Sequence, residues 1–539
     1  MSETAVQIYD EERAAGALHR NISWTHAVWV ATGVPALVLF SIGGLAATVG
    51  TPSWLVWIVS IVIGSCQMFT YAEVAGMFAH KSGGSAVSGA MAWLPYGRVF
   101  PALSVWTYFL GWTPVVAIGA AIASGYILTA LLPAGSHLLT WQLTLIDLGF
   151  IQDQLSIRIN LAYIVSAIIL VAAFIIQHGG LMQASRMQMI MAVASLLPLG
   201  VIGFVPLISG HAQLSNLFPL VPLAHDAAGK LVPGSWNMAG ISVFAGGLFI
   251  AGWSTYGIET CLVYTGEFRN PKTDTFKAAL GTSLLCLVFY AIVPISFQGA
   301  LGLKGLLDPG IYDGSGVGAA MAHMVGLSGW LANVIVAMLV LTLVLSIMTA
   351  IAGSSRTLYQ ASVDGFLPKF LSRTNAHGSP IPAMWTELGF NLALLLVSNN
   401  VFLLALSNVS YLAFIFLNLQ AGWIHRMDRP DWSRPFRSPT VLLALGAGLG
   451  FFDIFLIGMG ANAYGSGVLV SGLVTIVAII PVFLYRHYIQ DRGVFPAALA
   501  ADLQPGSDVA PFVSRAGVLP YLALLAGGLL IALGAHLAT

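Results

Sequence analysis

Apolar residues run along this chain in long uninterrupted stretches, separated by short polar turns that carry almost all of the charge. A helix needs about 20 mainly apolar residues to cross a hydrocarbon core about 30 Å thick. Runs of that order are His26–Val49, Trp54–Phe78, Phe100–Leu132, Leu161–Ile176, Met187–Ser209, Met238–Tyr264 and Ala278–Leu301. They continue with Gly329–Leu358, Ala383–Val397, Val401–Ile424, Val441–Gly460, Tyr464–Tyr485 and Val518–Leu537, which makes thirteen. The pattern predicts an all-α polytopic membrane protein of twelve core transmembrane helices plus a thirteenth at the C-terminus.

Lysine and arginine test the count, because cytoplasmic loops retain them. With the N-terminus inside, eighteen of the 21 fall on the inward side, and only Arg158, Lys230 and Lys304 fall outside. A missed or extra helix before Tyr485 would scramble that separation. The thirteenth span rests on apolarity alone. Residues 1–25 are polar and carry no short apolar core with a cleavage site, so they read as a cytoplasmic segment rather than a signal peptide. The expected division is a transporter domain over 26–487, a cytoplasmic linker over 488–517 and the extra helix over 518–537.

Composition narrows the function. Only 8% of the residues are charged and 58% are hydrophobic, against about 25% charged in a soluble domain, so the chain cannot cover a soluble surface. Net charge is zero, which removes nucleic acid as an expected partner. Cys66, Cys261 and Cys286 sit inside apolar runs and read as packing residues, without metal-ligand spacing. Gly446, Gly448 and Gly450 are helix-contact material, because no strand precedes them. His26, His178 and His323 lie near span ends, and Glu73 and Glu387 take no assigned role.

Candidate chemistry lies where helices break. Glycine and proline free backbone groups that hydrocarbon cannot satisfy, so a break persists only beside protein or a cavity. Thr32-Gly33-Val34-Pro35-Ala36 interrupts the first span, and Pro35 has no N–H to donate. Gly252-Trp253-Ser254-Thr255-Tyr256-Gly257 interrupts the sixth. Singly each has a packing explanation. Their positions five spans apart are those of equivalent helices in an inverted repeat of five plus five, with repeats over about 26–209 and 238–424. Helix ends at such breaks offer N–H groups to a carboxylate and carbonyls to an ammonium or a cation, so a zwitterion suits both.

The sixth span and its loop, Gly252-Trp253-Ser254-Thr255-Tyr256-Gly257-Ile258-Glu259-Thr260 and Gly266-Glu267-Phe268-Arg269-Asn270-Pro271-Lys272, resemble those of the amino acid–polyamine–organocation permeases. Tyr71-Ala72-Glu73-Val74-Ala75, Asp364-Gly365-Phe366-Leu367-Pro368-Lys369 and Gly378-Ser379-Pro380-Ile381-Pro382 resemble further stretches of that family, in the same order. The resemblance implies a LeuT-type fold with discontinuous first and sixth helices, alternating access, and a substrate between the two breaks. It implies that Trp253 stands where the family's arginine/agmatine antiporter has an aromatic covering the substrate, and Glu259 where that protein has a carboxylate linked to acid activation. Trp112 and Thr113 in the third span are further candidate lining residues.

Two departures bear on substrate and coupling. Many members have Gly-x-Gly in the first helix, where this chain has Gly33-Val34-Pro35; Pro35 lacks one donor, which fits a carboxylate held by fewer hydrogen bonds or an amine with no carboxylate. Ser195 aligns where proton-coupled relatives have a fifth-helix lysine, which argues against a lysine-based proton mechanism. Ser195, Ser346 and Thr349 could surround sodium with first-helix carbonyls, since hard cations take oxygen ligands; the same hydroxyls also serve as ordinary interhelical hydrogen bonds. The motifs of intramembrane enzymes, His-Glu-x-x-His and Gly-x-Ser-x-Gly, do not occur. No terminal segment is long enough for a signalling domain of a sensor. The expectation is a secondary transporter in the cytoplasmic membrane for a neutral or apolar-tailed amino acid, with an organic amine as the alternative, the coupling ion and oligomeric state left open, and no cofactor.

Overall fold

In a bilayer every backbone polar group must be satisfied within the protein, so long apolar runs have helix as their available form. A computed structural model gives that form to all thirteen runs; it describes residues 18, 20, 22–133, 135–179, 181–225, 231–312, 314, 316–465, 467–497, 499, 502 and 514–538. Most of the expected N-terminal segment 1–25 and the middle of the linker 488–517 therefore lie outside the described residues.

Leaving out single turns, the helices are α1 (Trp24–Val49), α2 (Ser53–Met77), α3 (Gly84–Trp93), α4 (Phe100–Leu131), α5 (Leu161–Gln177), α6 (Leu181–Ile208) and α7 (Met238–Glu267). There follow α8 (Pro271–Leu306), α9 (Val317–Met324), α10 (Trp330–Val363), α11 (Ile381–Leu394), α12 (Asn400–Asp428), α13 (Thr440–Gly460), α14 (Val468–Gln490) and α15 (Leu519–Ala538). By length and composition eleven can cross a membrane, and the shorter α5 and α11 complete the thirteen.

The ninth run differs from its expected bounds. Its helix stops at Leu394, and at 1.5 Å per residue fourteen residues give about 21 Å. The next residues bond instead to a hairpin between α4 and α5, made of β1 (Gln142–Asp147) and β2 (Ser156–Asn160): Arg158 N–H donates to Leu396 O at 2.7 Å and Ser398 N–H to Ser156 O at 2.9 Å. Strand pairing at the bundle's edge thus takes over backbone groups that a longer helix would have used. A second small hairpin, β3 (Leu223–His225) with β4 (Leu231–Pro233), caps the same end.

The helix α3 was not expected from hydropathy. It begins at Gly83 and Gly84, both in the left-handed region (φ 86° and 58°), which lets the chain turn back under the bundle. There Gly83 N–H donates to Val263 O of α7 at 2.9 Å, and a Cβ on Gly84 would stand 2.9 Å from the Val263 nitrogen.

The ion pairs among the described residues gather at the end of the bundle where α1 begins. The Glu73 carboxylate at the end of α2 takes Arg426 in two hydrogen bonds (2.9 and 2.6 Å), Arg434 at 3.1 Å and the Ser438 N–H at 2.8 Å. Arg356 pairs with Glu267 at 2.6 Å, and Lys81 with Asp364 at 2.6 Å. Buried pairs of this kind stabilise only when each charge is fully bonded, and breaking one is costly. They tie the ends of α2, α7, α10 and α12 together and leave the middle of the bundle free of cations among the described residues.

Candidate functional site

Both expected breaks are present, as tightened helix rather than as gaps. In α1 two short 3-10 turns, Ala31–Gly33 and Pro35–Leu37, interrupt the α-helix, and in α7 the α-helix ends at Thr255 and continues as a 3-10 helix over Gly257–Glu267. A 3-10 turn bonds i to i+3, so it closes groups an α-helix would leave open around a proline. Val34 N–H donates to Ala31 O and Leu37 N–H to Val34 O, both at 3.0 Å.

The two breaks touch. A Cβ on Gly257 would stand 3.1 Å from Val34 and 3.0 Å from the Trp112 ring, so glycine is required where α7, α1 and α4 meet. Gly33 is packed harder still: its Cβ would fall on Thr349 Oγ1 and 2.7 Å from the Ser346 Cα of α10. The residues of both breaks, with Trp112 and Glu259, are buried from either end.

One hydroxyl spans the pair of breaks. Tyr290 of α8 lies 2.6 Å from Val34 O and 2.7 Å from Ser254 O, and its ring stacks on Trp57 at 5.5 Å. A phenol has a single proton, so it donates to one carbonyl at a time or is shared between them. Ser254 is joined to the first helix a second time, through Leu37 O at 3.3 Å and the Ser41 hydroxyl at 3.2 Å.

Trp253 Nε1 donates to Ser407 Oγ of α12 at 2.8 Å and to Gly111 O of α4 at 3.1 Å, and its ring lies 5.7 Å from Phe40. Trp112 Nε1 and Tyr411 OH both donate to Glu259 Oε1, at 2.9 and 2.7 Å; Glu259 Oε2 has no partner although it is buried. Glu259 therefore joins α7 to α4 and α12, with one acceptor to spare.

The hydroxyls proposed around a cation lie against the first break. Ser346 Oγ donates to Gly33 O at 2.9 Å and Thr349 Oγ1 to Val30 O at 2.5 Å. Ser195 is one turn away: its carbonyl accepts from Thr342 at 3.2 Å, and its hydroxyl is buried without a partner. In this conformation the two hydroxyl protons occupy the carbonyls a cation would need, and no group of three or more His, Cys, Asp or Glu converges among the described residues.

Other candidates face elsewhere. Thr32 turns back to Trp29 O at 2.5 Å, and Thr113 accepts from Asn391 of α11 at 2.8 Å. Thr255 meets Ser60 of α2 at 2.6 Å, and Tyr256 packs against Gly64 of the same helix. Pro35 and Ala36 form the buried second 3-10 turn.

Residues 22–484 match the model of a family described as amino acid permease. The chain belongs to that family. It is a multi-pass membrane protein of a family of amino acid transporters, not of enzymes. A branched-chain amino acid permease of Lactococcus lactis subsp. cremoris (strain MG1363) is 24% identical over 79% of this chain and 88% of its own length. A branched-chain amino acid permease of Bacillus subtilis (strain 168) is 24% identical over 79% and 81%. A polyamine transporter of Oryza sativa subsp. japonica is 24% identical over 53% of this permease and 56% of its own chain.

Several residues that shape the permease's site were not singled out in sequence. Tyr290, Ser407 and Tyr411 reach it from α8 and α12, more than 30 residues from the nearest break. Their only sequence signal is a polar atom inside an apolar run, which many packing residues share.

Proposed function

We propose that this permease carries a neutral, apolar-tailed amino acid across the cell membrane by alternating access, the first and sixth helices opening and closing around a site between their breaks. The observation that carries the reading is the apposition of the two breaks, with the Tyr290 hydroxyl against a backbone carbonyl of each. Relaxing the 3-10 turns frees the Val34 and Leu37 N–H groups for a carboxylate and the Val34 and Ser254 carbonyls for an ammonium. Val34, Phe40, Trp112 and Trp253 offer apolar surface to the tail, and the absence of a neighbouring cation among the described residues disfavours a second carboxylate. The branched-chain substrates in the names of two relatives agree with this choice.

The surrounding frame is a five-plus-five inverted repeat over about 26–209 and 238–424, with the N-terminus cytoplasmic, as the lysine and arginine distribution favours. Ser195, Ser346 and Thr349 are the oxygen donors for any sodium ion. Trp253, Ser254 and Gly257 with Gly33, Val34 and Trp112 are the substrate-facing set; Thr32, Pro35, Ala36, Thr113, Thr255 and Tyr256 support the breaks from behind, and Glu259 joins the coupling groups.

A second reading, an organic amine, is favoured by the unpartnered Glu259 Oε2 beside Trp112, an acceptor that a protonated amine would fill. Thermal stabilisation separates the two. At a ligand concentration 100 times Kd a ligand specific to the folded state adds about 2.7 kcal/mol. Leucine, isoleucine or valine raises the melting temperature on the first reading and putrescine on the second; Trp253→Ala abolishes the shift. Purified protein in liposomes that exchanges neither class ends both.

A further inference from the structure

One buried acid lies outside the site just described. Asp453 sits mid-helix in α13 and is wholly buried. An ionisable side chain within a membrane helix is costly to keep and by default marks a function or a bonded partner. Here the bonding is incomplete. Asp453 Oδ2 accepts from Gln67 Nε2 of α2 at 2.6 Å, while Oδ1 has no partner.

The groups facing Asp453 are few. Tyr256 presents its hydroxyl to the carboxyl and to Ser60, near enough to interact with both, but in neither case with the alignment of a well-formed hydrogen bond. Tyr71 of α2 stands behind Gln67 and donates to its Oε1 at 3.3 Å. From α12 comes neutral Gln420, whose amide bonds Ala447 O at 2.9 Å. Further along α13, Gly458 lies against the backbone of Ile531 and Gly534 of α15, and Gly460 against Phe249 of α7. None of the ion pairs among the described residues includes Asp453.

Position gives this pair its consequence. Tyr256 is the residue at which α7 passes from α to 3-10 geometry. A carboxyl oxygen and a hydroxyl, joined by no well-formed hydrogen bond, thus meet at the hinge of the sixth span. We propose that Asp453 is a proton-binding site whose occupancy sets that hinge and couples the carrier's cycle to proton movement, an inference that rests on the transport reading above.

The chemistry requires only an O–H bond made and broken. Protonated, the carboxyl is neutral: Oδ2 keeps the hydrogen bond from Gln67, and a new O–H left without an acceptor costs much less than an unpaired buried charge. Ionised, it needs donors for both oxygens, because a buried charge without them is strongly unfavourable. The second donor at hand is the Tyr256 hydroxyl, and recruiting it draws the hinge onto α13. The proton arrives from the water to which the carrier is open and leaves to the water on the other side. This gives the permease a coupling group on a helix different from the fifth, where Ser195 offers no titratable side chain.

The test uses full-length protein in liposomes with leucine as the probe. Wild type takes up more leucine when the proton gradient points inward, whereas Asp453→Asn keeps leucine exchange at equal pH and takes up no more with the gradient than without it. Asp453→Asn that keeps the gradient's effect, or wild type that shows none, overturns the proposal. Wild type that exchanges no leucine at all contradicts the transport reading, and the proton site is then judged by infrared spectroscopy. A protonated-carboxyl band that titrates with pH, shifts in heavy water and is missing from Asp453→Asn supports it; the same band in wild type and variant overturns it. Should Asp453→Asn fail to fold, Tyr256→Phe serves: it keeps the titrating band and loses the gradient's effect, and a retained effect overturns the coupling.

Discussion

Replacing Tyr290 by phenylalanine removes one oxygen from the point where the two breaks meet and leaves the ring stacked on Trp57. Val34 O keeps the Leu37 N–H at 3.0 Å, so it is not orphaned. Ser254 O lies in the last α-helical turn of α7, where carbonyls lack their usual partners, and depends more on the hydroxyl. Hydrogen bonds between membrane helices average about 0.6 kcal/mol, and a buried acceptor left unsatisfied costs about 1–3 kcal/mol. A loss of about 1.4 kcal/mol from the closed arrangement multiplies the open fraction about tenfold. The assay is thiol labelling of Val34→Cys in a background lacking Cys66, Cys261 and Cys286, because Val34 is fully buried in this conformation. Adding Tyr290→Phe raises the labelling rate about tenfold on that arithmetic. Tyr312→Phe, at a side chain 46% exposed, leaves it unchanged. Equal labelling with and without the Tyr290 hydroxyl refutes the reasoning that this contact holds the breaks closed.

Glu259→Gln keeps an acceptor for Trp112 and Tyr411 and melts near wild type, whereas Glu259→Leu strands both donors at about 1–3 kcal/mol each and lowers the melting temperature clearly. Gly33→Ala sets a methyl against α10 backbone and reduces the folded yield, while Gly448→Ala, where a Cβ meets nothing within 4 Å, does not; fluorescence size-exclusion profiles compare the two. At the membrane edge, burial alone would raise the Asp502 carboxyl, but hydrogen bonds from His80 and Lys81 outweigh it and hold the group below the usual carboxylate range. A depressed folded value contributes stability above the unfolded carboxylate pKa of about 3.9 and loses it as pH falls through the folded value. Asp502→Asn therefore lowers the melting temperature at neutral pH, and the gap to wild type narrows on acidification below that range.

The helices were legible because hydrocarbon leaves an apolar run no other form, and the places of the two breaks were legible because glycine and proline cluster there. What those residues could not report is whether neighbours close the break. Closure depends on Tyr290, Ser346 and Thr349, which approach from α8 and α10 across separations of up to 319 residues. The α3 helix escaped notice because Gly84–Trp93 is built of small residues without a span's length, and its position is set by contact with Val263. The ninth run was found, but its end was set too far along for the opposite reason: the apolar run continues to Val397, while the hairpin claims the last residues. Trp253 was visible as an aromatic beside a break, yet its bonds to Ser407 and Gly111 depend on how α4 and α12 cross.

Charge placement links the fold to the choice of substrate. The buried cations among the described residues, Lys81, Arg356, Arg429 and Arg486, all stand at the end where α1 begins. Deep in the bundle are instead three carboxyl groups: Glu259 bonded by Trp112 and Tyr411, Glu387 by the Ser354 hydroxyl, and Asp453 by Gln67. Each has one oxygen bonded and one without a partner. An acidic substrate entering that region would meet no fixed positive charge and three groups able to repel it. A zwitterion with an apolar tail adds no net charge and supplies an ammonium among surplus acceptors, while its carboxylate needs only the N–H groups released by the first break. The same surplus lets a cation or proton accompany the substrate without creating an unpaired positive charge in the membrane. Uptake of leucine that is unaffected by excess glutamate, in liposomes of the full chain, is what this distribution of charge requires.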